Sequence, residues 1–286
     1  MIIVKLQGGL GNQMFQYAAG LALAKKHGVE LKLDLATYDH DDIFKRTFLL
    51  DKFKIDAKIA TSEEVDHFKK QGILFKIKDK LNPAHRKKIV IEKPFIFFGD
   101  FDKIECEAYL DGYWQSEKYF KRFADDIKKS FELKDVSPCL TSIINEVSRV
   151  NSVSIHVRRA DYVTLDFVND RYGVCPASYY KMAAEEITNK IGPVDYYIFS
   201  DDVAWIKANL ELGGPATIIS EMGLKDYEEV IVMSKCRHNI IANSSFSWWG
   251  AWLNQNPDKI VCAPKKWLKT SVFDPSYILP SEWIKL

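Results

Sequence analysis

The chain has 286 residues, enough for one large domain or two of ordinary size. Apolar residues make up 47% and aromatics 13%, sufficient for real hydrophobic cores, and the net charge of +1 excludes the strongly basic footprint of a nucleic-acid binder. Cys106, Cys139, Cys175, Cys236 and Cys262 are scattered without a C-x-x-C pair, so they read as reduced core thiols, and no disulfide framework or metal site is expected.

The N-terminus carries no basic region followed by a long apolar one. No stretch approaches the ~20 apolar residues of a membrane helix. The expectation is a protein of the cytoplasm. Ile2 to Leu6 reads as a buried strand. A tight turn follows, and Phe15, Ala18, Ala19 and Ala22 then fall at helical spacing. Lys25, Lys26 and His27 precede Gly28, a helix stop, and Val29 to Asp34 reads as a second strand. This opening is a βαβ unit and predicts an α/β fold.

Its turn, Gly8-Gly9-Leu10-Gly11-Asn12-Gln13, lets a backbone approach a ligand closely at a helix start, where negative charge is favoured. The spacing is not that of a dinucleotide fingerprint. A bland alternative is a tight turn with Asn12 as helix N-cap. The Asn12 and Gln13 amides also suit sugar hydroxyls.

Tyr38 to Ala60 reads as loop-rich. Lys69 to Lys93 then carries nine Lys/Arg against two acidic residues. Two readings stand: a solvated surface, or a patch facing an anionic membrane or a lipid-linked acceptor.

From about residue 136 the α/β rhythm returns. Helices are predicted over 138–150, 179–190, 204–210, 227–234 and 246–253. Strands are predicted over 153–157, 194–199, 216–219, 239–242 and 260–263. That is the pattern of a doubly wound parallel sheet. Two α/β domains, 1–135 and 136–286, are expected to leave a central cleft for ligands.

Three further motifs carry chemistry. In Ser154-Ile155-His156-Val157-Arg158-Arg159-Ala160-Asp161, alternation sends Val153, Ile155 and Val157 to one face, and Ser154, His156 and Arg158 to the other. The arginines leave the strand at its carboxyl end, where ligands bind in open α/β sheets. There a guanidinium can hold a phosphate by a bidentate pair. One arginine for a ligand and one tied to Asp161 is the functional reading; a surface Arg–Asp network is the other.

Ser200-Asp201-Asp202 ends another strand, and either aspartate can cap the next helix or take nucleobase or ribose donors. Asn243-Ser244-Ser245-Phe246 opens a helix, whose positive end would face the arginines across a diphosphate. Trp248, Trp249 and Trp252 read as core.

Together these segments resemble glycosyltransferase family 11, the α-1,2-fucosyltransferases. The resemblance rests on Gly8–Ala18, His156–Tyr162, Ser200–Asp202 and His238–Trp252, which span most of the chain in the family's order. The His-x-Arg-Arg pattern is shared with α-1,6- and protein O-fucosyltransferases.

The resemblance implies a GT-B-like fold of two Rossmann-like domains, a GDP-β-L-fucose donor, inversion, and no metal or other cofactor. It implies a glycan acceptor, with terminal galactose the family expectation and a lipid-linked form or peripheral contact with the inner membrane face left open. Carried over, Arg158 holds the diphosphate beside Arg159, and His156 lies near the guanosine. Asn12 lies near the reacting centre, with Gly9 and Gly11 in the donor-side turn. Ser200, Asp201, Asp202, Asn243, Ser244, Ser245 and Phe246 complete the donor site.

Glu229, with Asp226 nearby, stands where the family often has an aspartate for guanine. Asp166 or Asp161 is the candidate general base. The alternatives are another fucosyl linkage, α-1,6-like, or a non-catalytic GDP- or glycan-binding protein.

Overall fold

Strand β1 (Ile2–Lys5) runs from Met1 into the turn at Gly8, helix α1 (Leu10–His27) returns, and β2 (Leu31–Asp34) pairs parallel to β1. The predicted βαβ unit is therefore present. Alanine and leucine favour the helix, and α1 is buried along most of its length from Leu10 to Ala24. Its first residue is Leu10, so the N-cap is Gly9, and Asn12 lies inside the first turn with its N–H donated to the Gly9 carbonyl at 3.0 Å. The N-cap reading of Asn12 is corrected accordingly.

The computed structural model describes residues 1–39, 45–70, 79, 81–269 and 274–286. The chain divides into two units, Met1–Lys134 and Asp135–Leu286. The first adds β3 (Lys58–Ile59), α2 (Ser62–Lys69), β4 (Ile89–Ile91), β5 (Ala108–Asp111) and α3 (Ala124–Ser130). Its sheet has the order β3-β2-β1-β5-β4, with every pair parallel. Within the loop-rich stretch, 40–44 lie outside the described residues. Of the basic stretch, 71–78 and 80 do too; Lys69, Lys70 and Lys88 form ion pairs with Asp34, Asp66 and Glu107.

The second unit opens with α4 (Pro138–Arg149), capped by the Ser137 hydroxyl, which accepts from the Leu140 N–H at 3.1 Å. Then come β6 (Ser152–Val157), α5 (Ala160–Thr164), α6 (Asp166–Tyr172), α7 (Ala177–Ile191) and β7 (Asp195–Ser200). They are followed by α8 (Val203–Asn209), β8 (Ala216–Ile218), α9 (Asp226–Lys235), β9 (His238–Ile240), α10 (Ser245–Leu253), β10 (Val261–Ala263) and β11 (Ile284–Lys285).

The parallel sheet has the order β11-β10-β9-β6-β7-β8, the doubly wound order. Its core sets Val153, Ile155 and Val157 against Tyr179, Tyr180 and Ala183 of α7, as alternation along β6 predicts. Of the cysteines, Cys175, Cys236 and Cys262 are buried, but Cys106 and Cys139 are exposed, which corrects the core reading for those two.

Candidate functional site at the strand ends of the second unit

In an open parallel sheet, ligands bind beyond the carboxyl ends of the strands where the strand order reverses. In the second unit that position lies between the neighbours β6 and β9. Arg158 to Asp161 leave the sheet after β6, Asn243 to Ser245 after β9, and Asp201 with Asp202 after the adjacent β7. Three distant segments are thus brought to one edge by topology.

All six residues of β6 are buried, as expected of a central strand covered on both faces. On the face opposite the Val153 side chain, Ser154 Oγ accepts from Asn239 Nδ2 at 2.7 Å. The His156 ring sits 5.4 Å from that of Phe246. Its Nδ1 is buried without a hydrogen-bond partner among the described residues. Burial pushes the His156 pKa down to about 3, opposed by the Asp201 charge and reinforced by Arg158. This imidazole is therefore neutral at physiological pH.

Both arginines are tied to carboxylates, not one of them as the sequence suggests. Arg158 Nη2 donates to Asp161 Oδ1 at 2.6 Å, and its Nη1 lies 2.7 Å from Asp201 Oδ2. Arg159 Nε donates to Asp202 Oδ2 at 3.1 Å, and its guanidinium lies 4.3 Å from the centre of the Trp205 ring. The other Asp201 oxygen accepts the backbone N–H groups of Arg159 (2.8 Å) and Ala160 (3.1 Å). Asp201 therefore fixes the whole turn, and two guanidiniums are held by three carboxylates. A guanidinium has five N–H donors, so the two carboxylate pairs of Arg158 do not exhaust it.

Asp202 also caps α8, its Oδ1 accepting from the Trp205 N–H at 3.0 Å. Ser200 is bound into the same edge. Its N–H donates to Ser220 Oγ at 3.0 Å, and Ser220 Oγ donates to Glu229 Oε1 at 2.8 Å. Burial raises the Glu229 pKa to about 7; the Ser220 bond opposes this, and the charges of Asp226 and Asp201 add to it. Asp226, the first residue of α9, is exposed.

On the β9 side, Asn243 is buried, and its amide donates to the carbonyls of Tyr172 (3.0 Å), Gly173 (3.3 Å) and Trp267 (3.3 Å). Its side chain braces the edge. Ser244 is the N-cap of α10, its Oγ accepting from the Phe246 N–H at 3.3 Å, and that helix has no acidic residue in its first turn. Ser245 and Phe246 are half-buried in the same turn.

Trp248 and Trp249 are fully buried and Trp252 nearly so, the core role expected of them. Gly250 lets α10 approach α9: a β-carbon there would lie 2.7 Å from Met233 Cβ.

Tyr162, which closes the His156–Tyr162 segment but takes no site role from the sequence, joins the two sides. Its hydroxyl donates to the Asn243 carbonyl at 3.2 Å, its ring stacks on Tyr172 at 5.2 Å, and the Arg158 guanidinium lies 5.7 Å from its ring centre. Its place directly after Asp161 was the available signal. Ser220 and Trp205 gave none. Asp166 is exposed at the start of α6. Gly9, Gly11 and Asn12 belong to the first unit, beyond the end of β1; there Asn12 Oδ1 accepts from Gln115 Nε2 at 2.7 Å.

The fold is α/β and GT-B-like, with a parallel sheet in each unit and a likeness to solved fucosyltransferases. The chain belongs to glycosyl transferase family 11, whose model matches residues 1–286, and it is a glycosyltransferase. It is 29% identical to an alpha-1,2-colitosyltransferase of Escherichia coli, covering 100% of this chain and 99% of that protein. It is 32% identical to the O-antigen biosynthesis glycosyltransferase WbnK of Escherichia coli, covering 98% and 99%. Among solved structures it is similar to POFUT1 in complex with GDP-fucose, with 15% identity, 92% of this chain and 97% of that chain covered, and a TM-score of 0.50. That last likeness is one of fold.

Proposed function

We propose that this glycosyltransferase moves L-fucose from GDP-β-L-fucose to the 2-hydroxyl of a terminal galactose in an acceptor glycan, with inversion and without a metal. One observation carries the reading. The Arg158 turn and the Ser244 helix start meet at the β6–β9 switch point, joined by Tyr162. Such an edge suits a nucleoside diphosphate.

In this reading the acceptor oxygen attacks the anomeric carbon in line as the bond to GDP breaks, which turns a β-linked donor into an α-linked product. Negative charge grows on the departing diphosphate. The remaining Arg158 donors and the start of α10 stabilise it as a preorganised electrostatic site. Asp161 and Asp201 hold Arg158 in place. Glu229, in its ionised form, accepts the guanine N–H pair, with neutral His156 and Phe246 beside the nucleoside. Asp166 takes the acceptor's proton; Asp161 is the less suitable base because Arg158 already engages it. Asn12, at the β1 end of the first unit, carries an amide suited to a sugar hydroxyl.

A second donor reading follows from the colitosyltransferase relative. Colitose is fucose lacking the 3-hydroxyl, so the two sugars are the first pair to compare. The test offers GDP-fucose and GDP-colitose with a small panel of β-galactosides, free and lipid-linked, with and without EDTA. Linkage is assigned by NMR. An α-1,2-fucosylated product at an EDTA-independent rate is expected. A colitosylated product alone reassigns the donor, and a 6-linked product reassigns the acceptor position. Neither transfer nor sugar release to water would make this a binding protein. Among the described residues, no helix is long and apolar enough to cross a membrane.

A further inference from the structure

The first sheet also reverses its strand order, between β1 and β5. The chain leaves β1 through Gly8 and Gly9 into α1, and leaves β5 through Gly112 toward Gln115. The hydrogen bond from Gln115 Nε2 to Asn12 Oδ1 spans that reversal, 103 residues apart in sequence.

The segment presenting Gln115 is held at a cost. Trp114 is fully buried yet stands at φ 55°, a left-handed conformation that a bulky residue rarely adopts. The Ser116 N–H closes a tight turn onto the Trp114 carbonyl at 2.8 Å, with Gln115 at its apex. Trp114 Nε1 and Ser116 Oγ are buried without a hydrogen-bond partner among the described residues. A buried carboxylate holds this geometry together: Glu92 accepts the N–H groups of Tyr113 (2.9 Å) and Trp114 (2.6 Å) and the Tyr119 hydroxyl (3.0 Å). On the other side, Gly8 stands at φ 79°, and a β-carbon there would come within 2.6 Å of Asn12 Nδ2. The Asn12 amide is thus confined between the Gly8 backbone and Gln115.

We infer that Gln115 is a positioning residue for Asn12, and that the Glu92–Trp114 turn exists to set it. By donating to Asn12 Oδ1, Gln115 fixes which way that amide faces and directs its Nδ2 donors away from Gln115. A sugar hydroxyl or ring oxygen is the acceptor class such a donor suits. The sugar contact rests on the function proposed above; the pinning of the amide does not.

The test is a double-mutant cycle on the full chain with the donor and acceptor that the panel identifies, with melting temperatures alongside. Gln115→Ala is expected to lower kcat about 10- to 100-fold, the range for a misplaced reacting group. GDP affinity and thermal stability should stay near wild type. Asn12→Ala with Gln115→Ala should be no slower than Asn12→Ala alone. Gln115→Glu, which cannot donate to Oδ1, should be at least as slow as Gln115→Ala.

A turnover-independent readout runs in parallel: the side-chain amide resonances of Asn12, assigned by their loss in Asn12→Ala, should move in Gln115→Ala. Additive losses in an active enzyme, or unmoved Asn12 resonances, overturn the positioning role. A panel without any transfer overturns the functional reading instead, and the resonances still decide the pinning.

Discussion

Arg158 bridges two carboxylates, so its removal does two things at once. It deletes the cation proposed to meet the leaving diphosphate, and it leaves Asp161 and Asp201 without the charge between them. Arg158→Ala should lower kcat/KM by at least about 100-fold, close to 3 kcal/mol, the effect of losing one preorganised donor. Arg158→Lys should recover little, because a single ammonium cannot fork to both carboxylates. Near-normal transfer by Arg158→Ala in a steady-state assay would remove Arg158 from the mechanism.

Glu229 gives a pH signature at the same scale. With its folded pKa raised to about 7 from 4.5, the folded state keeps a proton there that the unfolded chain releases. That stabilising contribution is full below about pH 4.5 and is lost as pH rises through about 7. Glu229→Gln should flatten this slope, by an amount on the order of 1–3 kcal/mol, while still accepting from Ser220. GDP affinity should run the other way. Guanine donors need the carboxylate, so binding should tighten in wild type as pH rises through 7, and less so in Glu229→Gln. Denaturation from pH 4 to 8 tests the first sign and calorimetric GDP titration from pH 6 to 8 the second, and a pH-independent GDP affinity in wild type would take Glu229 out of the nucleotide site.

At the scale of elements, α10 is where packing and the site meet. Ser244 satisfies an orphan N–H at the helix start, and Gly250 sets the distance to α9 nearly two turns further on. Ser244→Ala should cost about 1 kcal/mol as a lost cap and weaken GDP binding. Gly250→Ala should cost about 1–3 kcal/mol, because the new methyl meets a Met233 β-carbon and not a flexible side-chain end. Guanidinium denaturation measures both, and an unchanged Gly250→Ala midpoint would show that the two helices separate freely.

Elements of this kind were legible where periodicity was strong. The β6 alternation placed Val153, Ile155 and Val157 correctly, and the tryptophans were read as core. Of the two readings open for Asn12, the N-cap one fails: Asn at a helix start is a good cap by type, but here Gly9 is the cap and the Asn12 side chain bonds to Gln115. Strands β3 and β4 were invisible: with two and three residues, and several of them exposed, they carry no period-2 signal. The pairing of both arginines, and the roles of Gln115, Tyr162 and Ser220, depend on contacts between distant segments, which no local pattern encodes.

At the scale of the molecule, strand order turns separated motifs into a site. His156–Asp161, Ser200–Asp202 and Asn243–Phe246 are distant in sequence, and β6, β7 and β9 are neighbours in one sheet. The proposed ligand should therefore protect three separated peptides together. At 100 times its Kd, GDP should add about 2.7 kcal/mol to stability by mass action and raise the melting temperature. In hydrogen exchange, slowing should concentrate at 157–162, 200–203 and 243–248 within the second unit. Adenosine diphosphate should protect less, because its purine edge does not offer Glu229 the same donor pair. Protection of one of those peptides without the other two would mean that the edge does not act as a single site. Equal protection by both nucleotides would leave the diphosphate held but the base unread, and would move the question of guanine from Glu229 to another residue.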